Sequence, residues 1–122
     1  MQPSAEQLLE EQRARQLAED ETAIRGLLPQ YVDAYQDKDE ARLRRLMPGF
    51  RGIPNKELIR SVTVKLGEPR IVINGRSATL LVAQTLEYQW ERAGLPPTGT
   101  GTVTWNLEKQ GSTWTIVSSN FR

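Results

Sequence analysis

The chain has no cysteine and no histidine. Without cysteine there is no disulfide framework and no thiolate nucleophile. The compartment stays open: cytoplasmic by default, extracytoplasmic if the chain is cut from a larger membrane protein. Without histidine, the commonest general base near neutral pH and the commonest metal ligand are both missing. Long apolar runs are also missing. The longest, Ala78 to Ala83, is far too short to cross a bilayer, so no membrane insertion is expected. The start, Met1-Gln2-Pro3-Ser4, has neither the basic residues nor the apolar stretch of a signal peptide. What is there suits a somewhat polar globular protein: 122 residues, 38% apolar and 25% charged, enough for one domain with one core.

Charge of one sign is not in excess, at net +1, but it is unevenly placed. Residues 1–40 carry ten acids and four bases; residues 41–122 carry five acids and twelve bases. The bases are scattered, with Arg42, Arg44 and Arg45 the only dense group. Mutual neutralisation of an acidic helix and a basic sheet accounts for this better than an anionic partner does.

Residues 4–21 predict a polar helix with a thin apolar stripe, a linker or arm. Ile24, Leu27, Leu28, Tyr31, Val32 and Tyr35 then fall at i, i+3, i+4, i+7, i+8 and i+11, a full amphipathic stripe. Pro29 inside it should cost the bond to the Arg25 carbonyl and bend the helix. Asp39 is placed to cap a short helix through Met47, which Pro48-Gly49 ends. Pro54-Asn55-Lys56-Glu57 suits one further turn.

The remainder alternates as strands do. Ile59–Leu66 is one, and Ile71-Val72-Ile73 leads through Asn74-Gly75 into a long strand from Ser77 to Trp90. With 73 opposite 76, Ile71 faces Ala78. One face then continues through Leu80, Val82, Gln84, Leu86, Tyr88 and Trp90. Residues 93–99 read as a loop, and Thr98-Gly99-Thr100-Gly101 as a flexible approach to the closing hairpin. That segment is no phosphate loop, since it lacks the lysine and precedes a strand. In the hairpin, 109 opposite 112 would put Leu107 against Trp114, Trp105 against Ile116 and Val103 against Ser118. Helices followed by antiparallel strands make an α+β fold: two to three N-terminal helices packed on a five- to six-stranded, mostly antiparallel sheet.

Three segments carry a family resemblance. They are Tyr31-Val32-Asp33-Ala34-Tyr35-Gln36-Asp37-Lys38-Asp39 with Leu43, Leu46, Pro48 and Phe50 after it; the hairpin Ile71 to Ala78; and Gly111-Ser112-Thr113-Trp114-Thr115-Ile116. In this order the chain resembles the nuclear transport factor 2-like superfamily, the curved-sheet, cystatin-like cone shared by ketosteroid isomerase, scytalone dehydratase and SnoaL-like polyketide cyclases. It is most similar to small bacterial members, some appended to signalling proteins such as serine/threonine kinases. The resemblance covers residues 22–122 as the domain and leaves residues 1–21 as the arm. It implies an apolar pocket between helix and concave sheet. Tyr31, Tyr35, Leu86, Tyr88, Trp90 and Trp105 are candidates to line it, with Gln84 and the tyrosine hydroxyls as orienting groups. The same residues also suit plain core packing.

The enzymes of that superfamily use a tyrosine donor with a carboxylate base, or histidine with aspartate. Tyr31 resembles the donor. The segment where the base is expected, Pro48 to Pro54, holds no acid. Asp33 falls off the apolar stripe and Asp37 at the helix end. Asp37-Lys38-Asp39-Glu40 lacks the glycine and spacing of a calcium loop, so no metal or cofactor is expected. Only Trp90-Glu91-Arg92 approaches a nucleic-acid surface, and none is expected. The leading expectation is a non-catalytic domain binding an apolar small molecule or a protein, as a homodimer through the outward face of Thr102, Thr104, Thr115, Val117 and Ser119. The alternatives are an isomerase, dehydratase or cyclase acting on an apolar ketone with Tyr31 as donor, and a structural module tethered by residues 4–21.

Overall fold

The computed structural model describes residues 4–122, so the start of the arm at residues 1–3 lies outside the described residues. The helices are α1 (Ala5–Arg25), α2 (Leu27–Gln36) and α3 (Glu40–Leu46), and a single 3-10 turn covers Lys56–Leu58. The strands are β1 (Ile59–Leu66), β2 (Arg70–Asn74), β3 (Ser77–Trp90), β4 (Thr98–Gln110) and β5 (Thr113–Phe121). They form an antiparallel sheet in which β3 is shared. Its first half pairs with β2 and its second half with β1 on one edge, while β4 and then β5 follow on the other. This is an α+β, cone-like fold whose curled sheet forms a half-barrel.

Helix α1 begins at a capping box. The Gln7 N–H donates to Ser4 Oγ at 3.2 Å, and the Ser4 N–H to Gln7 Oε1 at 2.9 Å. It then runs unbroken through the junction at residues 21 and 22, with residues 4–19 exposed and only Asp20 and Ile24 buried. The interruption falls at Gly26. Pro29 therefore sits in the first turn of α2, where a missing N–H costs little. Leu28, Tyr31, Ala34 and Tyr35 of α2 are buried, while Leu27 and Val32 are only partly covered, so the apolar stripe is narrower than its spacing suggests. Asp39 caps α3 by accepting from the Arg42 N–H at 3.1 Å.

Both hairpins are shifted by one pair from the expected register. Asn74 pairs with Ser77 and Ile71 with Leu80; Gln110 pairs with Thr113 and Leu107 with Ile116. In each, glycine takes the first turn position, Gly75 and Gly111 both at φ +64°. A glycine in that place is what a type II′ turn requires. The shift leaves every residue on its expected face, so Val103, Trp105, Leu107, Trp114 and Ile116 are all buried. Beyond Leu107 the ladder bulges at Val117, and Trp105 pairs with Ser119 and Val103 with Phe121. Ser119 thus turns to the concave side, not to the outward face expected for it. Thr98–Gly101 is no flexible approach but paired strand, opposite Glu87 to Gln84.

Candidate functional site

Along β4 the concave positions run Leu107, Trp105, Val103, Gly101 and Gly99, from large side chains to none. A cavity of about 290 Å³ opens at this glycine end of the sheet. Gly101 is required there: a Cβ would stand 2.7 Å from both the Arg122 carbonyl oxygen and Phe121 Cε1. The bulge at Val117 brings Ser119 and Phe121 into the wall.

Helix α2 contributes Tyr31 and Tyr35, one turn apart. Strand β3 contributes Gln84, Leu86 and Tyr88. The segment after α3 closes the remaining side with Met47, Phe50, Gly52 and Pro54. Glu40 holds that segment. Its Oε2 accepts from the Ile53 N–H at 2.9 Å and its Oε1 from Lys56 Nζ at 3.1 Å. The Ile53 N–H, and then Lys56, hold the Glu40 carboxyl below its ordinary pKa. Gly52 stands at φ +124°, where other residues are strained, and a Cβ there, 2.7 Å from Glu40 Oε2, would push that oxygen from its place against the Ile53 N–H.

Of the seven side chains expected at the site, Tyr31, Tyr35, Gln84, Leu86 and Tyr88 line the cavity. Trp105 lies outside its lining, wholly buried and edge-on to Tyr31 at 5.5 Å between ring centroids. Trp90 also stands off it. Its ring stacks on Tyr88 at 4.6 Å, and its Nε1 donates to the Pro96 carbonyl at 2.7 Å. Sequence reasoning passed over Met47, Phe50, Gly52, Pro54, Val103, Ser119 and Phe121. Phe50 was legible as an apolar residue in a loop with nothing else to bury it; Ser119 depends on the bulge.

At the centre, the Tyr31 hydroxyl donates to Gln84 Oε1 at 2.5 Å. Burial pushes the pKa of Tyr31 well up, and the Gln84 bond offsets only part of this. Tyr35 is raised by burial and by the neighbouring Tyr88 and Tyr31 hydroxyls, and Tyr88 by its own burial. All three stay protonated at neutral pH. No acid, lysine or arginine is in the lining. Asp37 pairs instead with Arg42 at 3.0 Å, and Asp33 borders a groove outside the cavity. Among the described residues no cluster of three or more acids could hold a metal ion, and no helix is long and apolar enough to cross a membrane. The arrangement can enclose a neutral molecule and orient it by hydrogen bonds; it offers no group poised to take a proton.

No protein-family model matches the sequence, and no curated protein matches it significantly. Solved structures do. A nuclear transport factor 2-like superfamily protein from Salmonella enterica serovar Typhimurium superposes with a TM-score of 0.69 at 16% identity, over 85% of this chain and 89% of that one. A provisionally assigned scytalone dehydratase from Novosphingobium aromaticivorans gives 0.69 at 13% identity, over 89% and 87%. A Kribbella flavida protein gives 0.68 at 13%, over 86% and 90%. Identities this low speak for architecture alone, and by its architecture the chain has the nuclear transport factor 2-like fold.

Proposed function

We propose that this domain binds a small, neutral, mainly apolar molecule between α2 and the concave sheet, without converting it chemically. The observation that carries this reading is the lining: apolar side chains, three protonated tyrosines and one glutamine, with no ionisable group able to act as a base near neutral pH. Its volume of about 290 Å³ suits a ligand of roughly ten to twenty non-hydrogen atoms. A panel of one- and two-ring apolar compounds, followed by calorimetry and thermal melting, tests it. A ligand at a hundred times its Kd should add about 2.7 kcal/mol of stability. Gly99→Leu is the control. A Cβ there meets Tyr88 Cε2 at an ordinary 3.7 Å, so the backbone tolerates it, and a leucine would stand on the concave face beside Leu86 and Tyr88, two residues of the cavity wall. Binding should fall by about tenfold or more in that variant; undiminished affinity would sink the reading. The isomerase, dehydratase or cyclase alternative lacks a base. Turnover of apolar ketones, abolished by Tyr31→Phe, would put it in first place.

We also infer a homodimer through the outward face of the sheet, where Thr102, Thr104 and Thr115 surround exposed Val117, Leu81 and Val72, the last 65% exposed. A threonine-rich face with few charges and three aliphatics suits self-association better than open water does. Light scattering should give twice the mass of one chain at high micromolar concentration; a monomer mass there ends the idea. The acidic helical arm, exposed over residues 4–19, is left free for a tethering role by this arrangement.

A further inference from the structure

Gln84 is 2% exposed and sits between Val82 and Leu86 on the concave face of β3. Its Oε1 is occupied by the Tyr31 hydroxyl. Its Nε2 carries two N–H donors, and among the described residues neither has an acceptor. The nitrogen is not sealed in the core, where the indole nitrogen of Trp105 is the one enclosed side-chain polar atom left without a partner among the described residues; its donors are open to the cavity. Here the donors belong to a side chain that lines the cavity, so a molecule in the cavity can complete them.

We propose, building on the reading of the cavity as a ligand site, that its ligand is an apolar molecule bearing a neutral carbonyl oxygen, and that Gln84 Nε2, not the Tyr31 hydroxyl, donates to that oxygen. The Tyr31 proton is already committed to Gln84. That bond turns the carboxamide oxygen toward the helix and the nitrogen toward the cavity, which makes Tyr31 a positioning residue. A carboxylate ligand would find no cation in the lining. A ketone, ester or lactone carbonyl on a hydrocarbon body satisfies the site.

Two probes of equal shape separate the possibilities: 2-acetylnaphthalene and its hydrocarbon isostere 2-isopropenylnaphthalene, titrated calorimetrically into the full chain. The unmodified protein should prefer the ketone by about tenfold or more, because the hydrocarbon leaves the amide donors unpaired. Gln84→Met, similar in volume, should bind both alike. Tyr31→Phe should retain a reduced preference for the ketone. A preference that survives Gln84→Met but vanishes in Tyr31→Phe makes the tyrosine the donor and overturns the proposal. Equal binding of both probes by the unmodified protein overturns it too while leaving the ligand-site reading intact. Binding of neither removes that reading and the proposal with it. One measurement needs no variant: the side-chain amide resonances of Gln84 should move downfield with the ketone and not with the hydrocarbon. Unmoved resonances in the ketone complex refute the donor role even if Gln84→Met fails to fold.

Discussion

Asp20→Ala lowers the free energy of unfolding by about 3 kcal/mol and the melting temperature by roughly 10 °C. Asp20 is 6% exposed, and one of its oxygens gathers three donors. Lys109 Nζ lies at 2.8 Å, Trp114 Nε1 at 3.1 Å and Gln16 Nε2 at 3.1 Å. Lys109 and Trp114 face each other across the β4–β5 hairpin, so this carboxylate fastens α1 to the far edge of the sheet. Its removal strands the Lys109 ammonium and the indole N–H in a poorly hydrated place. Lys109→Met costs less, because Trp114 and Gln16 still serve the carboxylate. Chain truncation places the same boundary. Removal of residues up to 18 should leave the melt nearly unchanged, whereas removal through 21 should reproduce the Asp20→Ala loss. Equal melts for both truncations would show that the contact contributes nothing.

The same carboxyl sets a pH dependence. Burial alone would raise its pKa, but the hydrogen bonds from Lys109, Trp114 and Gln16 and the Lys109 charge outweigh burial, leaving it below the ordinary aspartate value. A carboxyl with a folded-state pKa below its unfolded one stabilises the fold above the unfolded value, about pH 4. The contribution then fades as pH falls through the folded value. Denaturant titrations should show Asp20→Ala and unmodified protein converging below pH 4 and diverging above it.

The faces of the sheet were legible because side-chain alternation has period two. Moving a hairpin by one pair, as happened at Gly75 and Gly111, exchanges partners but not faces. Turn type decides the pairing, and Asn74-Gly75 reads equally well with glycine second, as in a type I′ turn, or with Gly75 first. The bulge at Val117 left no mark in the sequence, since any residue can occupy one, and with it went the concave placement of Ser119 and Phe121. Tyr31, Tyr35, Gln84 and Tyr88 were legible at the site because helix and strand periodicity each put them inward. Gly99 and Gly101 were misread for a physical reason: glycine in a loop and glycine making room within a strand look alike until the neighbouring ring is seen. The acidic arm was expected to be neutralised by the basic sheet. The described α1–sheet ion pairs are only Asp20–Lys109 and the reverse pair Arg25–Glu68, so most of its charge is left to solvent or to a partner.

Trp105→Ala should cost about 3–5 kcal/mol, a large share of the stability of a domain this size. Trp105 is 0% exposed, stands at the middle of β4 and supports Tyr31 edge-on. It also carries the one buried side-chain polar atom among the described residues that lacks a hydrogen-bond partner, its Nε1. That separates two substitutions which volume alone would merely rank. Trp105→Phe loses part of the indole's contact but also removes an unpaired N–H worth about 1–3 kcal/mol of desolvation, so its net cost should stay near 1 kcal/mol. Chemical denaturation of the two variants measures the difference. If Phe costs nearly as much as Ala, the indole N–H is satisfied in solution and the packing of this face is tighter than its hydrogen bonding implies. The cavity then gives a second readout. Trp105 supports the ring of the residue that orients Gln84, so Trp105→Ala in any folded fraction should weaken discrimination between the ketone and hydrocarbon probes, while Trp105→Phe, which keeps a ring under Tyr31, should preserve it.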